Sequence, residues 1–401
     1  MIKSTLLFTL TFFLVFSVAS AQDIVRKKSR DNSTGGSSPS SQAEQAKEAP
    51  SLTLDGYIDA YMRLTSDSSA LKPGDFEKFE TFGQRPNQVG LNVARLSAAY
   101  SSELIRGNLS LHYGDIQNSW DRDFPMLQEA NVGVRLGEGL WLDAGYFSTH
   151  VGTEVLYPRD NLMSSLALGT FHEPFYMSAA TLTYDPSDLV SFKLVVANDY
   201  YTLNRNDGQN SDLAYGFAVA ITPTDEITIS YTNLIDNQAD SGADTSQWRF
   251  YNNLYFAYTT DRLMFQIGGD FSSDENSAIT EAGVLQNETA TAFNFLASVK
   301  YYFVPKAAAF VRLDHFNDPD GILSSQILTN DNKISGLIGS SITLGGEYKP
   351  TEKSYVRLEG RYMTADSDQL WFTDMDGKGT NERFNLMFTL GFSFTTKNLM
   401  D

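Results

Sequence analysis

The sequence predicts an all-β fold, a transmembrane antiparallel up-and-down β-barrel of about sixteen strands. Three observations lead to this prediction. Apolar and polar residues alternate along many segments, as in strands that have one apolar and one polar face. Short turns and long polar loops alternate between these segments, as in outer-membrane barrels. No segment after the N-terminus has the run of about 20 apolar residues that a spanning helix needs, and only a closed barrel lets strands cross lipid.

The N-terminus predicts export. After a short basic start, residues 6–18 are apolar and residues 19–21, Ala-Ser-Ala, have the small-x-small pattern of a cleavage site. We expect residues 1–21 to be a signal peptide, cleaved after Ala21; an uncleaved anchor is the alternative. Residues 22–50 are polar and predict a flexible periplasmic leader. An export signal before a barrel predicts the outer membrane of a Gram-negative bacterium.

The first strand is predicted at residues 52–64, where the alternation continues for about 13 residues, longer than the ~5–6 residues of a typical globular strand. One face of this segment carries Leu52, Leu54, Ile58, Ala60, Met62 and Leu64. The other face carries Thr53, Asp55, Tyr57, Asp59, Tyr61 and Arg63. This length and pattern are typical of a tilted strand that crosses an outer membrane with its polar side facing inward.

The remaining strands follow the same pattern up to the C-terminus. They are predicted at residues 89–100, 105–115, 130–136, 141–147, 176–184, 189–198, 213–221, 227–234, 248–258, 263–271, 291–302, 307–316, 339–348, 354–363 and 384–394. The last strand places six Phe and Leu residues on its outer face, and the barrel is predicted to span residues 51–395, with a short tail at 396–401. We also expect a girdle of aromatic rings beside the short turns, formed by Trp141, Tyr184, Tyr258, Tyr301, Phe303, Tyr348 and Tyr355.

The composition limits the partners of the chain. The 401 residues carry a formal net charge of −19 and no cysteine. Nucleic acid requires a basic surface, so we expect no nucleic-acid partner. The missing cysteine excludes a disulfide framework and a cysteine-linked lipid anchor. We expect contacts with outer-membrane lipid and lipopolysaccharide, and no cofactor.

A family resemblance rests mainly on residues 130–154, ANVGVRLGEGLWLDAGYFSTHVGTE. Matching stretches occur at residues 56–61, 98–115, 159–161, 174–176 and 358–361. In these residues the chain resembles the OmpL-like β-barrel porins of Bacteroidetes-type bacteria. The resemblance implies an outer-membrane barrel and suggests a pore. It supplies neither a solute nor a catalytic residue.

The strand number predicts the class of function. Eight strands leave an interior that side chains fill, whereas about sixteen leave a water-filled lumen. We therefore expect a porin through which small hydrophilic solutes or ions diffuse passively, assembled as a monomer or a homotrimer. The alternatives are a hydrolase at the barrel rim and a secreted soluble carbohydrate-binding β protein.

The longest loop, residues 148–175, is the candidate constriction of the lumen. Its leucines favour folding against the barrel wall over exposure to water, and the corresponding loop of sixteen-stranded porins folds inward. A surface cap on the barrel is the alternative. The charged or titratable candidates in this loop are His150, Glu154, Arg159, Asp160, His172 and Glu173.

Strand parity gives a second set of candidates on the wall of the lumen. The basic ones are Arg63, Lys193, Arg249, Lys300, Arg312, Arg357 and Arg361. The acidic ones are Asp55, Asp59, Asp143, Asp270, Asp314, Glu347 and Glu359. A basic wall that faces an acidic loop would create a transverse field that sorts ions. The alternative is that opposite charges on adjacent strands pair with each other.

Two further patterns have simpler explanations. Asp-Gly sequences occur in three outer loops, at residues 205–208, 318–321 and 374–377, but they lack the glutamate and the helix pair of a calcium loop, and turn chemistry explains them. We expect no metal site. His150 and His172 share a loop with serines and carboxylates, which is the basis of the hydrolase alternative. The sequence contains no Gly-x-Ser-x-Gly motif, and we expect no enzyme.

Overall fold

The computed structural model describes residues 50–72, 74–119, 126–200, 210–324 and 326–396. The predicted signal peptide, most of the leader, the end of the C-terminal tail and the Asp-Gly sequence at residues 205–208 lie outside these residues. None of the helices among the described residues is long and apolar enough to cross a membrane.

Sixteen of the strands in the described residues form one closed antiparallel barrel, in which each strand pairs with its neighbours in the chain and β20 pairs with β1. The barrel strands are β1 (Ser51–Thr65), β2 (Val89–Ser101), β3 (Ile105–Tyr113), β4 (Leu127–Gly137), β5 (Leu140–Ser148), β6 (Tyr176–Tyr184), β7 (Val190–Ala197), β8 (Ala214–Thr224), β9 (Ile227–Asn237), β10 (Trp248–Thr259), β11 (Leu263–Asp274), β12 (Ala290–Val304), β13 (Ala307–Asn317), β16 (Ile338–Thr351), β17 (Ser354–Ala365) and β20 (Glu382–Thr396).

Short elements occupy the loops between these strands. Two small hairpins, β14–β15 and β18–β19, lie in the loops after β13 and β17; their strands are Ile327–Leu328, Ile334–Ser335, Phe372–Thr373 and Gly379–Thr380. The helical turns are Ser68–Ala70, Asp115–Ser119, Pro158–Asp160 and Leu168–Phe171. The predicted barrel class and strand number are therefore confirmed. The two hairpins were not predicted, because two-residue strands are too short to show a period.

The barrel has the two faces that the alternation predicts, and β20 shows them clearly. Phe384 and Phe392 are each 50% exposed on the outside, whereas Met387 is 2% and Thr389 0% exposed on the inside. An apolar exterior of this kind is stable in lipid and would be unfavourable in water. The barrel is closed by the pairing of β20 with β1. Every barrel strand therefore bonds its backbone groups to two neighbours, and no open edge is left in the membrane.

The predicted aromatic girdle is wrong at two positions. Tyr355 is only 6% exposed and donates a hydrogen bond to the Asp59 carboxylate inside the barrel. Trp141 lies on the same side of its strand as Asp143, which is buried, and the Arg106 guanidinium lies 4.5 Å from the centre of the Trp141 ring. Both rings therefore face the lumen, since side chains two positions apart share a face. The other five rings are on the outer face, as predicted.

Candidate functional site

The loop of residues 148–175 lies inside the barrel. Of its candidates, His150 and Glu154 are each 3% exposed, Glu173 is 2% and His172 is 8%, while Arg159 and Asp160 are partly buried. A surface cap would leave these side chains in water. The contacts that hold the loop come from strands on different sides of the barrel.

Arg312 of β13 contacts three residues of the loop. Its Nη1 donates to Glu154 Oε1 at 2.8 Å and to the carbonyl of Ser165 at 2.6 Å, and its Nη2 donates to the carbonyl of Leu166 at 2.9 Å. Arg312 is completely buried. A planar guanidinium with five donors suits this task, because it satisfies a carboxylate and two backbone carbonyls at once. Arg312 therefore fixes both the start and the middle of the loop.

Strand β17, separated from β13 by β16, supplies further contacts. Both oxygens of Glu359 accept backbone N–H bonds from the loop, from Ser164 at 2.9 Å and from Ser165 at 3.0 Å. Arg357 donates to the carbonyls of Pro158 at 2.8 Å and of Asn161 at 3.2 Å. Backbone groups away from water need such partners. The wall charges of β17 are thus used as hydrogen-bonding partners for a segment that has few backbone bonds of its own.

The loop also reaches the part of the lumen near the short turns. Arg159 donates from Nη2 to Asp55 Oδ1 at 2.7 Å and from Nη1 to Asp55 Oδ2 at 3.2 Å. Asp55 is the fifth residue of β1. Arg95 of β2 lies 3.0 Å from the same carboxylate. A loop that starts at the end of β5 therefore crosses much of the barrel height.

The wall formed by β9 and β11 contacts the loop through close approach rather than charge. His150 Nε2 lies 2.7 Å from the carbonyl of Asn233, in β9. In β11, a Cβ on Gly268 would lie 1.9 Å from Thr153 Oγ1. The wall accommodates the loop here because this position has no side chain. Contacts on both walls mean that the loop crosses the lumen instead of lying along one side.

Burial shifts the titration of three groups in the loop. The pKa values of His150 and His172 fall to about 4, because burial penalises the charged imidazolium. Both rings are therefore neutral at pH 7. Burial, together with the nearby charges of Asp270 and Glu154, raises the pKa of Glu173 well above its ordinary value. His172 stacks on Phe316 with ring centroids 4.8 Å apart, so the histidines of this loop act as packing groups.

All the wall candidates face the interior. Lys193 is half-buried, and each of the others is no more than 8% exposed. Many of them pair with an opposite charge, some across adjacent strands, as the alternative to a transverse field expects, and some across one intervening strand. The ion pairs are Arg249–Asp274 at 2.7 Å, Lys300–Glu347 at 2.6 Å, Arg357–Glu347 at 2.7 Å and Arg106–Asp143 at 2.5 Å. Asp59 accepts hydrogen bonds from Asn92 and Tyr355.

A second inward-folded loop, residues 66–88, was missed. Its Glu77 and Glu80 are 4% and 2% exposed and contact Arg63. Phe79 and Phe82 of the same loop are also buried. The signal was present in the sequence, since apolar residues in a long loop were the reason for predicting an inward course of residues 148–175. The three phenylalanines of FEKFETF, residues 76–82, give the same signal for this loop.

The Asp-Gly sequences that the structure describes are turns. Asp374 accepts from the backbone N–H groups of Asp376 and Lys378, both at 2.9 Å. Asp318 accepts from Ile322 at 2.9 Å and from Ser324 at 2.7 Å. Within residues 50–396, outside the undescribed gaps, no group of three or more metal-binding side chains is close enough to hold an ion. These carboxylates therefore stabilise the loop backbone, as turn chemistry predicts.

Comparison with known proteins agrees with this architecture. The family described as "Putative beta-barrel porin-2, OmpL-like" matches residues 51–394, which is almost the whole barrel. The resemblance predicted from the sequence is thereby confirmed. No curated protein matches the sequence.

Solved structures with the same fold are outer-membrane porins and channels. The anion-selective porin from Comamonas acidovorans superposes with a TM-score of 0.58 at 10% identity, covering 86% of this chain and 100% of that one. The outer membrane channel DcaP of Acinetobacter baumannii also gives 0.58, at 11% identity, covering 88% and 99%. The trimer form of OmpT from Vibrio cholerae gives 0.52 at 10% identity, covering 86% and 100%. These likenesses show the fold, and the family match across the barrel shows that the chain belongs to the OmpL-like β-barrel porins of the outer membrane.

Proposed function

We propose that small hydrophilic solutes or ions diffuse passively through this barrel and that the loop of residues 148–175 sets the narrowest cross-section of their path. The observation that carries the proposal is the course of the loop, which contacts Asp55, Arg312 and Glu359 on one side of the barrel and Asn233 on the other. A loop tied to both walls divides the lumen and leaves less room for a solute.

Selectivity follows from the same contacts. We propose that the wall and loop candidates act mainly in pairs, so that solutes meet alternating charges instead of one basic wall. Paired charges keep the path hydrated and favour small polar solutes of either sign. The proposed channel is not an enzyme. His150 and His172 support this, because one contacts a backbone carbonyl and the other stacks on Phe316, while Ser148 Oγ donates to Glu129 at 2.5 Å.

The setting of the channel is also proposed. We propose export in a Gram-negative bacterium of the Bacteroidetes type, with the signal peptide cleaved after Ala21, outer loops in contact with lipopolysaccharide, and a homotrimer as the assembly. The trimer is supported by the trimer form of the Vibrio cholerae structure with the same fold. Chemical cross-linking of the detergent-solubilised protein tests the assembly, and a monomer alone would contradict it.

Planar bilayers test the proposed function. The purified protein, shown to be folded by heat-modifiable gel mobility, should produce stepwise conductance increases in KCl. Uncharged sugars that are small enough to enter the channel should then reduce the conductance, whereas larger ones should not. The sugar size at which the effect ends reports the width of the narrowest section. A folded barrel that never conducts would contradict the proposal.

A further inference from the structure

The loop of residues 66–88 places a carboxylate at the centre of three arginines. Glu80 Oε1 lies 2.7 Å from Arg63 Nη2, 3.2 Å from Arg361 Nη1 and 2.6 Å from Arg383 Nη2. These arginines come from β1, β17 and β20, which are adjacent in the barrel, and all four side chains are at most 2% exposed. One carboxylate oxygen thus contacts three cationic groups.

The loop carboxylates alone do not cancel the charges of this cluster, and the wall carboxylates of Asp314 and Glu359 also act on its arginines. Besides Glu80, the loop supplies Glu77, whose Oε2 lies 2.9 Å from Arg63 Nη2 and 3.9 Å from Arg383 Nη1. Three guanidinium groups therefore face two loop carboxylates. Burial alone would raise the pKa of Glu80, but the three arginines lower it to about 2, so the carboxylate stays ionised at physiological pH. Clustered guanidinium groups are the usual recognition chemistry for carboxylate and phosphate oxygens.

The arginines also have donors that the loop does not use. Arg361 Nη2 and Arg63 Nε are buried without a hydrogen bond; the nearest carboxylate oxygen to Arg361 Nη2 belongs to Asp314, at 3.6 Å. Arg63 and Arg361 line a small cavity together with Ser165, Glu359, Asn385 and Met387. About 10 Å³ of this cavity is open to a water-sized sphere, roughly the room that one water needs. Unused donors beside a cavity are costly in a site built only for packing.

We propose that Arg63, Arg361 and Arg383 form a binding site for an oxyanion group of a permeating solute, a carboxylate or a phosphate, and that Glu80 occupies this site when no solute is bound. The inference rests on the proposed function, because the ligand is a solute inside the channel. Glu80 then competes with the solute as a tethered carboxylate. Because a short tether gives Glu80 an effective concentration in the mM range, anionic solutes should bind the wild type more weakly than a variant that lacks this carboxylate.

Single-channel recordings in KCl with added citrate or phosphate test this site. The variants are Glu80→Gln and, as a matched control, Glu281→Gln, which changes an exposed glutamate of an outer loop that pairs with Lys333. Glu80→Gln should lower the concentration of citrate or phosphate that halves the conductance by about tenfold, and should shift the reversal potential toward anions. Glu281→Gln should behave as the wild type. The anion with the lower half-blocking concentration identifies the preferred oxyanion.

A second measurement does not depend on folding of the variant or on current. Lys78 is exposed in the loop and precedes Phe79, whereas Lys72 precedes Pro73 and is a poor trypsin site. If an oxyanion displaces Glu80, trypsin should cleave the wild type after Lys78 several-fold faster in 10 mM citrate than in KCl of the same ionic strength. An unchanged cleavage rate, or equal half-blocking concentrations in both variants, overturns the inference while leaving conductance intact. A folded wild type without conductance would overturn the proposed function instead, and the cleavage rate would still decide the inference.

Discussion

At the scale of single residues, the interior of this barrel resembles a protein core that contains charges. Arg312 and Arg63 are at most 1% exposed, and each contacts loop carboxylates. Removing one partner of a buried pair costs about 3–5 kcal/mol, because the other charge is left without compensation. Each loop therefore depends on a few particular side chains, and changes at these positions should have large effects.

Glu173→Gln tests the burial of a titratable group in the loop. The raised pKa means that the folded protein keeps a proton that the unfolded chain releases above its ordinary pKa of about 4.3. The free energy of unfolding of the wild type should therefore fall with rising pH above that value, by up to about 1.4 kcal/mol per pH unit. Gln cannot titrate, so the variant should lose less stability between pH 5 and pH 8.

The heat-modification midpoint of the purified protein, measured across this pH range, reports the difference. Glu288→Gln is the control, because Glu288 is exposed in an outer loop. Parallel pH dependence of the wild type and Glu173→Gln would show that the carboxyl group is ionised in the folded protein, against this prediction.

At the scale of elements, the strands and the inward course of residues 148–175 were predicted, whereas the contacts of that loop were not. A strand carries its signal in its own residues, as in β20, where the apolar face repeats every second position. The course of the loop of residues 148–175 depends on partners far away in the chain. Ser165 bonds to Arg312, 147 residues later, and Ser164 bonds to Glu359, 195 residues later. Sequence patterns of period two carry no information about such contacts, although buried apolar residues in a loop indicate that a contact exists.

Strand β5 contains a position that should tolerate only glycine. Gly145 has a φ of +135°, and a Cβ there would lie 2.2 Å from the carbonyl oxygen of Ala130, which is rigid backbone of the paired strand. Gly145→Ala should destabilise the barrel by about 1–3 kcal/mol. Gly346→Ala is the matched control, since its Cβ would lie 3.5 Å from the nearest carbonyl oxygen. Equal heat-modification midpoints for the two variants would contradict this reading of β5.

At the scale of the whole molecule, the predicted lumen and the observed one differ in content. The predicted number of strands, about sixteen, is confirmed. The sequence predicted one inward loop, whereas several loops contribute buried side chains, among them Phe82, Leu337 and Trp371. The wall charges predicted from strand parity do point inward, but ion pairs between nearby strands and contacts with the loops take up many of them. The permeation path is therefore defined as much by the loops as by the barrel.

Release of the loop of residues 148–175 should widen this path. Arg312→Ala removes the hydrogen bonds to Glu154, Ser165 and Leu166. Because Glu154 then has no guanidinium partner, the loop should detach, and the single-channel conductance should rise and fluctuate more than in the wild type. Arg262→Ala, in an exposed turn outside the lumen, should conduct as the wild type.

The same recordings decide whether the loop sets the narrowest section. Arg312→Lys keeps the charge but offers one flexible ammonium in place of a planar fork, so it should give an intermediate conductance and larger fluctuations than the wild type. If Arg312→Ala does not give a heat-modifiable barrel, the same test can be made with Arg312→Lys. Conductance and sugar cut-off identical to the wild type in a folded Arg312 variant would mean that the path is narrowest elsewhere, most plainly at the arginine cluster filled by Glu80.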